Sequence, residues 1–308
     1  MKVLILGFGN VVHGIEKDNR TQNFSHSRVL KELCAHKVYV FDPYAGDEKI
    51  SIMAQLGFEY CDLKKISSLK IDLVIAALPT SEINSLIEIL SIIKFDMLIL
   101  EKPVSYTKRS FELLFDKIKD KPFQINYQRN WDRGYKLLKQ RLSDENILYA
   151  HFETTSAIAQ SSSHMLELVL QFFPDLRIEH ISKNGPDRVI GTIIETGALV
   201  VAKKDNIPVI IRCCSNVLGR FVFRGIIECE NCRYIFDEGI GNIRIQKKKI
   251  GNPRIGMEIE AFGREETLYI WDVENWIFGC YDEVLNRSVD PNVLKRARQV
   301  VEIIERVM

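Results

Sequence analysis

Three groups of residues in this chain have the types and spacing that chemistry uses. Gly7, Phe8 and Gly9 follow the short apolar run 3–6 and read as a turn into a helix. After a buried parallel strand, such a turn brings backbone N–H groups and a helix N-terminus against a pyrophosphate. Asp42 ends a second apolar run, 37–41, where a carboxylate accepts hydrogen bonds from the ribose hydroxyls of a dinucleotide. The same carboxylate repels an added ribose phosphate, which favours NAD over NADP. Pro43 and Tyr44 are placed to flank an adenine, and Lys49 is too far along to outvote Asp42. The third group is Cys213-Cys214 with Cys229-Glu230-Asn231-Cys232. Four cysteines with one CxxC pair invite a tetrahedral metal site. The first two are adjacent, which is awkward for chelation, and both groups sit in strand-like runs, so small buried thiols and no metal are expected. Cys34, Cys61 and Cys280 have no convincing catalytic partner.

The elements that must position these groups fall into two textures. Up to residue 120, strands and helices alternate. Strands are expected at 2–6, 37–41, 58–61, 73–77 and 97–100, and helices at 11–17, 27–34, 47–56, 82–91 and 107–119. That order predicts a mostly parallel, doubly wound sheet with helices on both faces. After Lys121-Pro122 come a short strand at 123–127, a helix at 134–142, a strand at 147–155 and a helix at 163–173. From 178 to 270 strands dominate, with turn signals at Asn184-Gly185, Glu195-Thr196-Gly197, Asp205-Asn206 and 239–241. This is the pattern of an α+β domain with a large, mostly antiparallel sheet open on one face. Residues 291–308 read as a helix whose apolar face carries Val293, Leu294, Ala297, Val300, Val301 and Ile304. The expected division is 1–121, 122–290 and a closing helix 291–308 that packs on the first domain or the junction.

The chain has 308 residues, 42 basic and 41 acidic, for a formal charge of +1. Such a balance supplies no general field for nucleic acid or an anionic membrane. The N-terminal run reads as a core strand and not a signal peptide. Lys94 and Asp96 interrupt the longest apolar candidate for a membrane span, around 83–100. Seven cysteines, an odd number, do not suggest a disulfide framework, and a cytoplasmic location is expected. Lys247-Lys248-Lys249 reads as a solvated guard on an edge strand.

Glu101-Lys102-Pro103 completes a recognisable series. The chain resembles the Gfo/Idh/MocA oxidoreductases, which include glucose–fructose oxidoreductase-like and inositol dehydrogenase-like enzymes. The resemblance rests on the glycine turn, Asp42-Pro43, Leu78-Pro79-Thr80, Glu101-Lys102-Pro103, Asn126-Tyr127-Gln128-Arg129, Ser163-His164 and the closing helix. It implies a Rossmann domain followed by the open-faced sheet domain, a nicotinamide cofactor, and a substrate that is a sugar, inositol or nucleotide sugar. It places Gly7, Phe8, Gly9, Asn10, Val11, Asp42, Pro43, Leu78, Pro79, Thr80, Glu101 and Lys102 at the cofactor. Lys102 would stand near the reacting hydroxyl, where an ammonium stabilises the oxyanion that develops as hydride departs. His164 matches the family's catalytic histidine and would exchange the proton. Arg129 and Tyr127 would border the substrate, although an interdomain ion pair suits Arg129 as well. Trp131 would pack the junction and Arg133 would face a substrate phosphate. Homodimers or homotetramers are implied, with Phe221, Phe223 and Tyr234 suited to a subunit contact. Trp271 and Trp276 suit either a sugar site or the core.

The sequence departs from the family pattern in three places. Val12 stands where the loop normally ends in a small residue that lets helix and strand pack closely. Residues 16–23 are a polar insertion, either a surface loop or a source of ligand contacts through Arg20 or His26. Gln160 stands one helical turn before His164, where the family often has an acid; an amide positions but takes up no proton. Glu167, three residues after His164, is offered as a partial substitute. These departures leave two classes open: an NAD-linked oxidoreductase acting on a CH–OH carbon, or an altered family member that serves as a ligand-binding or regulatory protein.

Overall fold

A computed structural model describes residues 1–13, 25–185, 187–190, 193–214, 222–239, 241–250, 260–270 and 276–308, and every count below is made among them. Gly14, the polar stretch 16–23, Phe221 and Trp271 lie outside the described residues. The chain divides into two units, 1–131 with 273–305 and 132–272 with 306–308. Relative to the expected division, the first boundary falls ten residues later and residues 273–290 join the first unit.

The first unit is built on β1 (Lys2–Leu6), α1 (His26–Glu32), β2 (Lys37–Phe41), α2 (Asp47–Gln55), β3 (Glu59–Tyr60), α3 (Leu63–Ser67), β4 (Lys70–Ala76), α4 (Ile83–Ile92), β5 (Lys94–Leu100), α5 (Lys108–Ile118) and β6 (Phe123–Ile125). Six strands form one parallel sheet in the order β3-β2-β1-β4-β5-β6. From Val3 to Leu6, β1 is apolar because both of its faces are covered. Leu4 and Leu6 join a core with Leu86, Phe111 and Leu114, whereas Val3 and Ile5 join another with Val29 and Met53. The spacing of Phe111, Leu114, Phe115 and Ile118 gives α5 its buried stripe, and the Thr107 hydroxyl caps its N-terminus by accepting from Ser110 N.

Only the opening of the helix expected at 11–17 is described, and it is a turn in which Val12 N and His13 N both donate to Gly9 O. Val12 is completely buried, beside Val3, Ile5 and Val29. The larger side chain at that loop position is therefore part of the core.

The second unit contains α6 (Arg133–Leu142), β7 (Ile147–Thr154), α7 (Ser161–Phe172), β8 (Arg177–Lys183), β9 (Arg188–Ile190), β10 (Ile193–Glu195), β11 (Ala198–Lys204), β12 (Ile207–Cys213), β13 (Phe223–Cys229), β14 (Cys232–Asp237), β15 (Asn242–Ile250) and β16 (Glu260–Ile270). Eight strands form a sheet in the order β16-β15-β14-β13-β7-β12-β11-β8, antiparallel except where β12 pairs with β7; β9 and β10 form a separate hairpin. Buried and less buried residues alternate along β7, β13 and β14, so one face is core and the other is partly exposed. That second face mixes Ile226 and Ile235 with the pairs Arg224–Glu153 and Arg233–Glu228.

Two expectations are corrected by this sheet. Phe223 and Tyr234 are fully buried in the core face and offer nothing to a partner subunit. Lys247-Lys248-Lys249 lies in β15, which is paired on both sides; the edge strands are β16 and β8.

The chain then returns to the first unit with α8 (Trp276–Leu285) and α9 (Val293–Glu305). α8 places Ile277, Cys280, Tyr281 and Val284 in the core beside Val29, and Trp131 packs over Gly279. α9 packs on α5, with Val293, Ala297 and Val301 in the same core as Phe111. No helix among the described residues is long and apolar enough to cross a membrane.

Candidate functional site

The parallel sheet brings most of the singled-out residues to one edge, because β1, β2, β4, β5 and β6 all end there. Backbone hydrogen bonds carry the sheet ladder into the loops. Gly7 N donates to Phe41 O (2.8 Å), Ala77 N to Leu6 O (2.8 Å), Glu101 N to Ala76 O (3.0 Å) and Asn126 N to Leu100 O (2.8 Å). The strand order reverses between β1 and β4, the switch point where open α/β sheets bind ligands.

The two glycines of the turn have different reasons to be glycine. Gly7 has φ +90°, and a Cβ there would come within 2.7 Å of Ala77 O. Gly9 has ordinary φ and nothing within 4 Å of an added Cβ. The first is demanded by the fold. The second leaves open space above the backbone, which a pyrophosphate needs if it is to approach closely.

Asp42 is buried, and its carboxylate is already engaged. Oδ1 accepts from Tyr44 N at 2.8 Å; Oδ2 accepts from Phe8 N at 3.1 Å and from Lys49 Nζ at 3.0 Å. Seven residues along a strand-to-helix turn are enough for the lysine to fold back. Beside this carboxylate opens a pocket of about 470 Å³, lined by Phe41, Pro43, Tyr44, Leu78, Glu82 and Ser85 among others. Its size and apolar walls suit a flat aromatic base. Thr80 donates its hydroxyl to Pro103 O at 2.8 Å, tying the loop after β4 to the loop after β5.

Lys102 and Glu101 follow β5. Burial is the main reason the Lys102 ammonium is destabilised, bringing its pKa from 10.5 down to about 8; Glu101 opposes that shift and Arg129 adds to it. Arg129 and Tyr127, after β6, are both buried. Arg133 is exposed on the first turn of α6.

Glu101 is fixed by partners that sequence reasoning missed. His26, fully buried at the start of α1, has Nε2 at 2.9 Å from Glu101 Oε1 and Nδ1 at 2.7 Å from the Tyr281 hydroxyl. Asn126 Nδ2 donates to the same Glu101 oxygen at 2.6 Å. His26 thus has no exposed surface for a ligand; it anchors the acid next to Lys102. Tyr281 lies 255 residues from His26, and no local pattern announces it. Asn126 Oδ1 is buried with no hydrogen-bond partner among the described residues.

The second unit positions the remaining residues on α7. Gln160 is its N-cap and makes no side-chain capping bond. His164 and Glu167 are buried, and Gln171 Nε2 donates to Glu167 Oε2 at 3.0 Å. Trp276 is the first residue of α8.

The glycine turn, the open space at Gly9, the aromatic-sized pocket and the partnerless amide oxygen of Asn126 fit a dinucleotide along this edge. No protein-family model and no curated protein sequence matches the chain. Solved structures do. UDP-N-acetylglucosamine 3-dehydrogenase GnnA from Acidithiobacillus ferrooxidans is 14% identical with a TM-score of 0.74, covering 100% of this chain and 96% of that one. Levoglucosan dehydrogenase in complex with NADH and L-sorbose is 13% identical with a TM-score of 0.72, over 99% and 95%. A super-repressor mutant of Gal80p from Saccharomyces cerevisiae is 12% identical with a TM-score of 0.75, over 100% and 94%. Over essentially its whole length the chain shares the fold of these solved structures.

Proposed function

We propose that the protein is an NAD-linked oxidoreductase acting on a hydroxyl or keto carbon of a sugar or nucleotide sugar. The observation that carries the reading is the single loop edge that gathers the Gly7–Gly9 turn, Asp42 and Glu101-Lys102. A nicotinamide bound there supplies the hydride acceptor or donor. The open backbone at Gly9 admits the pyrophosphate, and Asp42 holds the ribose, exchanging its bond to Lys49 for ribose hydroxyls. Lys102 keeps its proton through neutral pH and stabilises the substrate oxygen as it gains negative charge. His164 exchanges the hydroxyl proton, and Gln160 and Glu167 set the polarity around its helix. Arg129 and Tyr127 orient the substrate. The two sugar dehydrogenases of the same fold support the substrate class. The reading also includes a homo-oligomer acting in the cytoplasm.

A ligand-binding or regulatory protein is the second reading. The engagement of both Asp42 oxygens favours it, as does the fold's occurrence in a repressor mutant of Gal80p. Titration with NAD+, NADH, NADP+ and NADPH, followed by tryptophan quenching and nicotinamide fluorescence, separates the two. Micromolar binding of the NAD forms, then turnover of nucleotide sugars that is lost in Lys102→Ala and His164→Ala, is the expected result. Folded, cofactor-free protein that binds none of the four overturns the oxidoreductase reading.

A further inference from the structure

We propose that Glu145, Cys229 and Cys232 form a binding site for one zinc-class divalent ion, which clips the β13–β14 hairpin to the loop before β7. The site goes beyond the oxidoreductase reading and does not depend on it. Cys229 ends β13 and Cys232 begins β14, with two residues between them. The hairpin register pairs Glu228 with Arg233, which makes Cys229 and Cys232 the next facing pair. Facing residues of an antiparallel pair project to the same side, and both cysteines are buried and free.

Glu145 supplies the third donor from a different part of the chain. Its Oε1 lies 3.4 Å from Cys232 Sγ and accepts a hydrogen bond from the Tyr234 hydroxyl at 2.9 Å. The backbone brings these groups together independently of that contact. Glu230 N donates to Asn146 O at 2.9 Å, Asn146 Nδ2 donates to Glu230 Oε2 at 3.1 Å, and Lys248 N donates to Asn231 O at 2.9 Å. The first two bonds fasten the turn bearing the cysteines to the loop bearing Glu145, and the third ties it to β15.

One donor atom from each of the three residues lies within 4.8 Å of the others. Tetrahedral zinc, with Zn–S of about 2.3 Å and Zn–O of about 2.0–2.2 Å, sets ligand separations of roughly 3.5–3.8 Å. The Glu145–Cys232 distance has that size before any ion binds, and the others need only a modest contraction. Two thiolates select zinc over magnesium or calcium, and a carboxylate completes a three-donor set with one open position for water. Tyr234 is the outer partner that orients the ligating carboxylate. The adjacent Cys213-Cys214 pair takes no part: Cys213 lies in β12 and hydrogen-bonds Ser162.

The test uses the full-length chain, reduced and stripped of metal, titrated with Co2+. The expected result is one equivalent bound, with thiolate-to-cobalt charge transfer and the visible bands of tetrahedral Co2+, both bleached by Zn2+. Cys232→Ser removes the charge-transfer band, Glu145→Gln weakens binding ~10-fold or more, and Cys34→Ser changes nothing. If Cys232→Ser does not fold, alkylation of the wild-type chain decides: Zn2+ protects Cys229 and Cys232 and leaves the other five of its seven cysteines at their metal-free rates. Absence of a thiolate–cobalt band in folded, reduced protein overturns the proposal, as does protection of neither cysteine or of different ones.

Discussion

The parallel sheet of the first unit and the mixed sheet of the second present polar residues in different ways. In the first, five strands end at one edge, and the backbone ladder itself continues into the loops that carry Gly7, Asp42, Ala77, Glu101 and Asn126. A residue's place follows from its distance past the end of a strand. In the second, His164 and Glu167 stand on a helix whose residues 162–170 are all buried, so the helix is covered on every face and the apolar spacing does not single them out. Topology places the polar residues of the first region; in the second, burial on all sides sets their environment. Loop spacing is consequently the readable signal in one, and side-chain environment in the other.

Substitutions can break this contrast. The largest expected effect is at Gly7. Alanine there meets both a positive φ and a 2.7 Å contact with Ala77 O, and should cost about 3 kcal/mol or more, read as a lower denaturation midpoint with loss of NADH binding. Gly9→Ala should leave the midpoint unchanged, since nothing lies within 4 Å of its added methyl, while weakening NADH if the proposed pyrophosphate approach uses that space. Equal destabilisation by the two would show that the turn is structural throughout.

His26→Ala comes next, at about 2 kcal/mol, because it strands the Glu101 carboxylate and the buried Tyr281 hydroxyl. His164→Gln, in contrast, should abolish turnover with NADH affinity intact. A His164 variant that loses NADH instead would erase the division between the regions.

The pH profile gives a finer test. In the proposed reaction Lys102 acts in its protonated form, and burial brings its pKa down to about 8, so kcat/KM should fall as pH rises through that value. Glu101 raises the lysine's pKa; Glu101→Gln should therefore move the falling limb to lower pH. A shift the other way would remove Lys102 as the titrating group.

The smallest effect concerns cofactor choice. Lys49 pairs with Asp42 at 3.0 Å and is partly exposed. Asp42→Ala frees this ammonium, and the NADPH-to-NADH affinity ratio should rise ~10-fold, a gain of about 1.4 kcal/mol from a charge-assisted contact. An unchanged ratio would mean that the carboxylate does not face the ribose.

The legible part of the fold was the part governed by local rules. Runs such as 3–6 in β1 and 73–76 in β4 stand out as unbroken apolar stretches, because strand residues covered on both faces have no polar side to show. Residues 276–285 escaped notice as a helix, because aromatic and acidic residues there mask its apolar stripe until the core of the first unit covers Ile277, Cys280, Tyr281 and Val284. The candidate site divides the same way. The residues at the ends of β1 and β2 could be found from spacing and those after β5 from the family resemblance; Tyr281 and the anchoring role of His26 came from neither.

The amino-acid sequence by itself determined most of the order of strands and helices, the glycine turn after β1, and the placing of Asp42 and Lys102 just past strand ends. Each depends on periodicity or backbone geometry within a few residues. Tertiary structure alone decided that Val12 fills core space, that Lys49 closes on Asp42, that Phe223 and Tyr234 face inward, and that β15 is no edge. It also decided that Glu145 meets the Cys229–Cys232 hairpin across more than 80 residues of chain. Burial and the identity of a partner are set by segments distant in sequence, so no local pattern encodes them.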